Sequence, residues 1–525
     1  MAFLLVGMAL VGLALYLRLR VFIGRQPGGV DTWYYLASAH ALRTQKRIPI
    51  ALPQYLLHDK TESYPVVFPL FLALLPEGWL RRNHWLVSPL IDSAHLLVLY
   101  LLAFRLTDSV LAAGIAGLIY AVTPQLVSET RNLNGRAFAS LLQTLAMLAL
   151  LRSDIPSEGP TSLLLGQSNI APTVVAAVLI ALLYNTHTST TIAFVVSAAA
   201  LTLVTGHPRF VALALLGLPL AIVLSGGYYL RVIQNHLYAA RFWMRNVRLT
   251  RAHQIDDSPL LGRTGGTAQT GLYAPTWRSR LALVVRVLGE NPFILAMLAT
   301  PIPENVWAFH MYWWAVAILI WSVLTTFGGP LRILGPGFHY MKASVFPSAY
   351  TLAVTVNMRE GGLTGFDVML LISFLASFGA LAYFFRVMDK RQTEQTAQTP
   401  PDLARATEYL REQPEGSVLV LPNMFADFVM YNSGKPVVWG GHSGNLARLE
   451  EFFPVIRQPL TYFFERYRVV YVVLDQHYTT LDRLQIGEAT ELLEQFGSIG
   501  VYGVRTRSSP PPIGQSATSL LTRSG

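Results

Sequence analysis

Long apolar runs separated by short polar stretches dominate the first 390 residues of the chain. A helix needs about 20 apolar residues to cross a bilayer, and fewer when its ends are buried in protein. The pattern predicts eleven membrane-spanning helices, the first of them retained and not cleaved as a signal peptide. They are expected at about 1–23, 85–106, 109–127, 136–152, 170–185, 188–205, 208–230, 289–302, 306–327, 342–357 and 366–387.

Three connections between or after the spans are too long to be simple turns. Residues 24–84 contain the run YPVVFPLFLALLP, which is too short to cross a bilayer and predicts a helix in or dipping into the membrane interface. Residues 231–290 carry nine arginines against three acidic residues. The polar segment DKRQTEQTAQTPPD, residues 389–402, ends the membrane region.

The composition after residue 402 is that of a small α/β domain. DLARATEYLREQ predicts a helix before the strand SVLVL, PVVW and VVYVVL predict further strands, and EATELLEQF predicts a late helix. We therefore expect a transmembrane domain over 1–390, a linker over 391–402, a soluble α/β domain over 403–506 and a disordered tail over 507–525.

Composition narrows the class of protein. The chain is 52% hydrophobic and only 13% charged, which excludes an ordinary soluble enzyme. It has no cysteine, so disulfides, iron–sulfur clusters, thiolate metal sites and a cysteine nucleophile are excluded. The net charge of +10 comes from five lysines and thirty-five arginines scattered between the apolar runs. That distribution argues against nucleic acid and suits membrane lipid headgroups or a phosphorylated lipid substrate.

Eleven spans place the two chain ends on opposite sides of the membrane. Arg105, Arg152 and Arg209 then lie on the amino-terminal side, whereas the arginines of 231–290 lie on the other and oppose the positive-inside rule. Long loops count little in that rule. We expect a multi-pass plasma-membrane protein with a cytoplasmic amino terminus and an external carboxy-terminal domain.

Asp31 is the strongest candidate for chemistry. It stands eight residues past the first span, in GGVDTWYYLASAHAL, where a helix is expected to start. As a structural residue it would cap that helix, with Trp33 and Tyr34 in an interfacial aromatic belt. As a functional residue, a carboxylate at a membrane surface is a general base or a cation ligand. The residue pattern alone leaves both roles open.

Other polar residues share the predicted face of Asp31. Arg131 and Arg136, in SETRNLNGRAF after Glu129, flank two asparagines and suit a phosphate or pyrophosphate, although headgroup contact explains them equally well. Arg231 begins the arginine-rich stretch. The remaining candidates are His58, Tyr64, His187, His339 and Lys342. An isolated histidine is more often structural, and the chain has no H-E-x-x-H, Walker A or G-x-S-x-G motif.

Several of these segments resemble the GT-C superfamily of membrane glycosyltransferases. VDTWYYLASAHAL is similar to the D-x-W/Y-Y segment of oligosaccharyltransferase catalytic subunits, and SYPVVFPLFLALLP to the Y-P-P-x-x-P loop helix of many GT-C enzymes. LVLYLLAFRLTDSVLAAGIAGLIYAVTPQLVSETR is similar to their second and third spans. Two motifs differ: RNLNGRAFAS replaces the metal-binding acidic motif of the second loop, and the acceptor-binding W-W-D-Y-G is missing.

The resemblance implies an inverting transferase that moves a sugar from a polyprenyl-phosphate donor to a hydroxyl of a glycan, lipid or protein, with no metal or other cofactor. It implies Asp31 as the base, with Arg131, Arg136, Arg231 and Lys342 at the donor phosphate. Substrate would be oriented by Tyr34, His58, Tyr64, His187 and His339. The alternatives are a divergent oligosaccharyltransferase acting on protein, and a lipid transporter or assembly subunit. The expected spans are nearly free of charge, which disfavours a transporter.

Overall fold

The structure is a computed structural model of the chain. It describes residues 1–23, 29–57, 61–154, 170–249, 252–262, 277–359, 364–393, 400–440 and 449–505. His58 and the predicted disordered tail lie outside these ranges.

Sixteen helices make up the amino-terminal part of the described chain. They are α1 (Ala2–Leu19), α2 (Val30–Gln45), α3 (Val67–Leu74), α4 (Glu77–Thr107), α5 (Val110–Val122), α6 (Pro124–Glu129), α7 (Gly135–Asp154), α8 (Ile170–Tyr184), α9 (Thr188–Thr205), α10 (Arg209–Leu224), α11 (Tyr228–Asn246), α12 (Trp277–Glu290), α13 (Phe293–Leu298), α14 (Val306–Phe327), α15 (Lys342–Asn357) and α16 (Gly365–Thr393).

Five helices among the described residues are long and apolar enough to cross a membrane, or six if the bent pair α10 and α11 is one span. The five are Ala2–Phe22, α4, α9, α14 and α16, taken over Gly365–Lys390. Helices α5 and α8 are apolar but shorter. The count of eleven spans therefore stays a prediction, although a helix lies at nearly every predicted position.

The predicted span at 289–302 is not a continuous helix. Helix α12 ends at Glu290, and the six-residue α13 begins after Pro292. Proline has no N–H to donate to the preceding turn, so the helical ladder breaks there. The Asn291 side chain at the break donates hydrogen bonds to Ser344 and Ser348 of α15, at 2.9 and 3.2 Å. The break is thus fixed by packing against the neighbouring helix.

Two of the few charges within the predicted spans form a buried ion pair. Arg18 of α1 donates to the carboxylate of Asp92 in α4, and both side chains are almost fully buried. Tyr120 of α5 donates to the other carboxylate oxygen of Asp92 at 2.9 Å. A single charge in a long apolar run does not reveal which residue of another helix it contacts. The pair joins three helices, because a charge removed from water needs a partner.

Helices α10 and α11 meet at an angle of 119°. The bend falls at Gly226 and Gly227, which both adopt positive φ angles that residues with a Cβ rarely take. Helix α11 is also amphipathic, with Tyr228, Val232 and Phe242 buried and Arg231 and Arg241 exposed. The bend therefore turns the chain away from α10 and along the face where the candidate residues lie.

The carboxy-terminal part contains a four-stranded sheet. Its elements are α17 (Pro401–Glu412), β1 (Ser417–Leu421), α18 (Ala426–Ser433), α19 (Leu460–Arg466), β2 (Val469–Asp475), β3 (Thr490–Phe496) and β4 (Ile499–Val504). The strand order is β1-β2-β4-β3, with β1 and β2 parallel and the other pairs antiparallel. Of the predicted run PVVW, only Val437 makes isolated bridges, to Tyr55 and to Val418.

The late helix predicted at EATELLEQF is wrong, because residues 490–496 form β3. Glu, Ala and Leu favour a helix locally, but the following turn with Gly497 at positive φ folds the segment back onto β4. Strand β3 lies at the sheet edge and forms six ladder pairs with β4, from Thr490–Val504 to Phe496–Ile499, with a shift of register between Leu492 and Glu494. Tertiary pairing thus overrides the local preference.

The sheet and the first loop are interlocked. Backbone N–H groups of Leu56 and Leu57 donate to Val437 and Val438, at 3.0 and 2.9 Å. The Tyr55 hydroxyl donates to the buried carboxylate of Asp427 at 2.6 Å. These bonds attach the segment just before the candidate residue Tyr64 to the carboxy-terminal part.

Candidate active site

Gly29 brings the segment before α2 against the loop between α6 and α7. Its φ of 137° lies where residues with a side chain are strained, and a Cβ there would come within 2.3 Å of the Asn132 side chain. Three residues later the Thr32 hydroxyl accepts a hydrogen bond from the Leu133 N–H at 3.2 Å. This close approach requires glycine, and it positions the start of α2 beside the loop that carries Arg131 and Arg136.

Asp31 is not the cap of α2. The cap position is Gly29, the helix begins at Val30, and Asp31 is its second residue. A carboxylate in the first turn is favoured there by the helix dipole. Asp31 is half-buried, and it interacts electrostatically with Arg136, Tyr35 and Tyr64. The predicted capping role is therefore wrong, and the Asp31 carboxylate lies near Arg136, the cation at the start of α7.

Asn134 shapes the loop between α6 and α7. Its side-chain oxygen accepts from the Arg136 N–H at 2.9 Å, as expected of a residue that caps a helix amino terminus. Its side-chain amide donates to the Glu129 carbonyl, also at 2.9 Å. One asparagine therefore holds the end of α6 against the start of α7, and it brings Glu129 close to Arg136.

Glu129 is the centre of a cluster of cationic and imidazole groups. Its carboxylate accepts from Arg136 Nη1 at 3.1 Å, and it lies 3.8 Å from Lys342 Nζ and 3.7 Å from His339 Nδ1. The Glu129 and Lys342 side chains are only 11% and 4% exposed, whereas Arg136 is 35% exposed. The arginine is thus the more accessible of the two cations.

The charge states in the cluster follow from burial and from these neighbours. Burial disfavours the Glu129 carboxylate, but Arg136, Lys342 and His339 outweigh it and hold the pKa of Glu129 well below its usual value. Burial lowers the pKa of His339, against the opposing pull of Glu129. Burial and the charges of Lys342 and Arg136 lower the pKa of His187 as well. At neutral pH the cluster therefore contains one carboxylate, two cations and neutral imidazoles.

A cavity of about 280 Å³ opens beside the cluster. It collects residues from four separate segments of the chain: Tyr64, Arg136, His187, Thr188, Ser189, Ile192, Leu334, Gly335, Pro336, His339, Tyr340 and Lys342. Five of the candidate residues from the sequence are in this set. Because the lining combines the Arg136 guanidinium and the Lys342 ammonium with apolar residues such as Ile192 and Leu334, the cavity suits an anion attached to an apolar chain.

A second cavity of about 320 Å³ adjoins the first and shares Tyr64, Thr188, Ile192 and Leu334 with it. Its other lining residues are Asn235, His236, Ala239, Ala240, Trp243 and Ile333. His236 Nε2 and the Thr188 hydroxyl are hydrogen-bonded at 2.8 Å. Helix α11 contributes half of the residues that line this cavity, and the sequence pattern indicates a role only for its arginines. Two adjoining cavities give room for a ligand with two chemically different parts.

Asp31, Tyr34, Arg131 and Arg231 are not among the residues that line either cavity. Tyr34 is buried, with its ring packed edge-on against Tyr64. Arg231 is exposed on α11 and donates to the Thr61 hydroxyl at 3.1 Å. Arg131 is half-buried and does not line either cavity. The sequence assigns no role to Glu129, because a single acid beside arginines is an ordinary loop pattern.

No group of three or more His, Asp or Glu side chains that could hold a metal ion occurs in the ranges that the structure describes. In the cluster Glu129 lies 3.7 Å from His339, and Arg136 and Lys342 also lie within 4 Å of the same carboxylate. The cluster is therefore suited to an anion and not to a divalent cation.

Comparison with solved structures decides the fold. ArnT from Cupriavidus metallidurans, bound to undecaprenyl phosphate, aligns over 97% of this chain and 98% of its own, at a TM-score of 0.56 and 13% identity. The chain has the GT-C fold. An oligosaccharyltransferase of Archaeoglobus fulgidus, tethered to an acceptor peptide, aligns over 92% of this chain and 70% of its own, at a TM-score of 0.53 and 14% identity.

The GT-C fold was expected from short sequence segments, and structural similarity along nearly the whole chain confirms it. No protein-family model matches the sequence, and no curated protein is detectably similar to it. At such low identity the likeness carries the fold and not the residues, so each role within the GT-C fold must be argued from this chain's own side chains.

Proposed function

We propose that the chain is an inverting glycosyltransferase that moves a sugar from a polyprenyl-phosphate donor to an acceptor hydroxyl at the external membrane face. The observation that carries the proposal is the cavity whose lining brings Arg136 and Lys342 together with apolar residues. A GT-C neighbour of the same length binds undecaprenyl phosphate, a ligand that combines one anion with one long apolar chain.

The donor phosphate would lie against Arg136 and Lys342. The Arg136 guanidinium stays charged and donates to two phosphate oxygens at once, and it is the more accessible of the two cations. The lysine ammonium lies deeper and contributes a point charge. Arg131 and Arg231, outside both cavities, would at most attract the headgroup as it approaches. The polyprenyl chain would leave past apolar lining residues such as Ile192 and Leu334 toward the membrane.

Asp31 would act as the general base. Its carboxylate takes the proton of the acceptor hydroxyl, whose oxygen attacks the anomeric carbon from the face opposite the phosphate. The bond from that carbon to the phosphate oxygen breaks, and its electron pair stays on the phosphate. A phosphate is a good leaving group without protonation, so the step needs one carboxylate and not two. The two cations then stabilise the charge that develops on the phosphate.

The proposal also covers the membrane topology, the carboxy-terminal domain and the place of the acceptor. The protein would be a plasma-membrane protein with eleven spans, a cytoplasmic amino terminus and an external α/β domain over 403–506. That domain would hold the first loop in place through Tyr55 and Asp427, because their hydrogen bond joins the two parts. The acceptor would be a glycan, lipid or protein bound in the adjoining cavity that Trp243 and Asn235 line.

A transfer assay with a base variant tests the proposal. Membranes containing the chain would receive a panel of undecaprenyl-phosphoryl sugars labelled in the sugar, and label leaving the lipid fraction would be followed. The Asp31→Asn variant should bind undecaprenyl phosphate normally but transfer at least about 100-fold more slowly. Normal transfer by this variant would remove Asp31 as the base. Failure of the wild-type chain to bind undecaprenyl phosphate would remove the proposed reaction.

An oligosaccharyltransferase acting on protein is the second candidate, favoured by the likeness to the A. fulgidus enzyme tethered to an acceptor peptide. It differs in its expected acceptor and in its need for a divalent metal. The same assay with a peptide carrying an Asn-X-Thr sequence, with and without manganese, separates the two. Metal-dependent glycosylation of the peptide would favour this second candidate.

A further inference from the structure

Glu129 is unexpected in a site for an anion. Its carboxylate lies within 4 Å of both cations that would hold the phosphate, and its side chain is only 11% exposed. A buried carboxylate there repels a second anion, because little water screens the two charges. If the cluster served only to bind phosphate tightly, a neutral residue in place of Glu129 would serve better.

The charge of the ligand changes during the proposed reaction. The donor is a phosphodiester with one negative charge, whereas the released polyprenyl phosphate is a monoester with a charge of about −1.5 to −2 near pH 7. Arg136 and Lys342 together with Glu129 carry a net charge of +1, since His339 is neutral. This charge matches the donor and leaves the product only partly neutralised.

The carboxylate of Asp31 adds to the effect. In the proposed step it takes up the acceptor proton, so the site gains a positive charge while the phosphate gains a negative one. Once that proton passes to water, Asp31 is again a carboxylate that interacts with Arg136. The product then faces two carboxylates and two cations, an arrangement that favours its departure.

We propose that Glu129 is a counter-charge that makes the site select the monoanionic donor over the dianionic product, and so allows the spent lipid to leave. The inference rests on the proposed function, because it assumes that both lipid phosphates bind at Arg136 and Lys342. In this role Glu129 touches neither substrate nor product, and it acts by offsetting the charge of the two cations.

Binding selectivity tests the proposal directly. The full chain, purified in nanodiscs of neutral lipid, would be titrated with undecaprenyl phosphate and with undecaprenyl methyl phosphate, a diester with one negative charge. The measured quantity is the ratio of the two affinities. In Glu129→Gln the ratio should shift toward undecaprenyl phosphate by about tenfold, since one unit charge beside the cations is lost. The same variant should be more strongly inhibited by undecaprenyl phosphate in the transfer assay.

Two controls separate charge from structure. Glu129→Asp keeps the charge and should keep the wild-type ratio. Glu77→Gln removes a carboxylate that is 57% exposed and pairs with His40 away from the cavities, and it should also leave the ratio unchanged. Both ligands are measured on one preparation, so a partly unfolded sample alters the two affinities equally and the ratio survives.

A variant that removes a cation instead of the carboxylate keeps the test decisive if Glu129→Gln does not fold. Lys342→Met removes one cation and should shift the ratio toward the diester by about tenfold. A Glu129→Gln ratio within twofold of wild type, or a Lys342→Met ratio that does not move, would overturn the inference while leaving the proposed function intact. A wild-type chain that binds neither ligand would overturn both.

Discussion

Replacing Arg136 by alanine should weaken the binding of undecaprenyl phosphate far more than it weakens the fold. The guanidinium donates to Glu129 at 3.1 Å and is 35% exposed at the cavity, so it has donors to spare for a ligand. A hydrogen bond to a charged group contributes about 1.5–3 kcal/mol. The dissociation constant should therefore rise by about 10- to 150-fold. The cap on α7 survives, because Asn134 accepts from the backbone N–H of residue 136 and not from its side chain.

The assay is a titration of nanodisc-embedded protein with labelled undecaprenyl phosphate, at two salt concentrations, with the melting temperature measured in parallel. Arg105→Ala is the matched control, since Arg105 is exposed in the last turn of α4 and lines neither cavity. Arg136→Lys should recover part of the affinity, because lysine keeps the charge and loses the two-pronged geometry. Unchanged affinity in a well-folded Arg136→Ala variant would refute the assignment of this arginine to the phosphate.

Four further outcomes are expected. Gly29→Ala should lower the melting temperature and Gly12→Ala should not, because only the first has a positive φ and a crowded Cβ position. Tyr55→Phe should lower the free energy of unfolding by about 1–3 kcal/mol, as buried Asp427 loses a donor at 2.6 Å. The pKa of Glu129 is lowered in the fold, so the folding stability that its carboxylate contributes is complete above its usual pKa of 4.5 and is lost as the pH falls toward the lowered pKa. The melting temperature of Glu129→Gln should therefore depend less on acid pH. Transfer activity should survive EDTA, and loss restored by manganese would favour the oligosaccharyltransferase.

Hydropathy located most helices of the fold, because a bilayer imposes the same length and composition on every span. It missed the break at Pro292 and the ion pair of Arg18 with Asp92, since neither a lone proline nor a lone charge indicates its partner in another helix. Strand β3 was missed for a different reason. Its residues favour a helix in isolation, and only the neighbouring strand makes the extended form stable.

Counting spans alone predicted that His187, His339 and Lys342 would share the face of Asp31, and the structure places those three beside Arg136 around one cavity. The contribution of α11 could not be read in the same way. Its Asn235, His236 and Trp243 face the cavity only because the chain bends by 119° after α10, and the bend depends on two glycines whose conformation is not evident from sequence.

The buried pair of Arg18 and Asp92 has a consequence for how the protein is made. Helix α1 leaves the ribosome long before α4, so Arg18 must wait in the bilayer without its partner. Its long side chain, one residue from the end of α1, can extend toward the headgroups, whereas the side chain of Asp92 is too short to do so. Insertion of α4 therefore depends on an α1 already in place. Arg18→Leu should reduce the yield of inserted protein, and a second substitution, Asp92→Asn, should restore much of it.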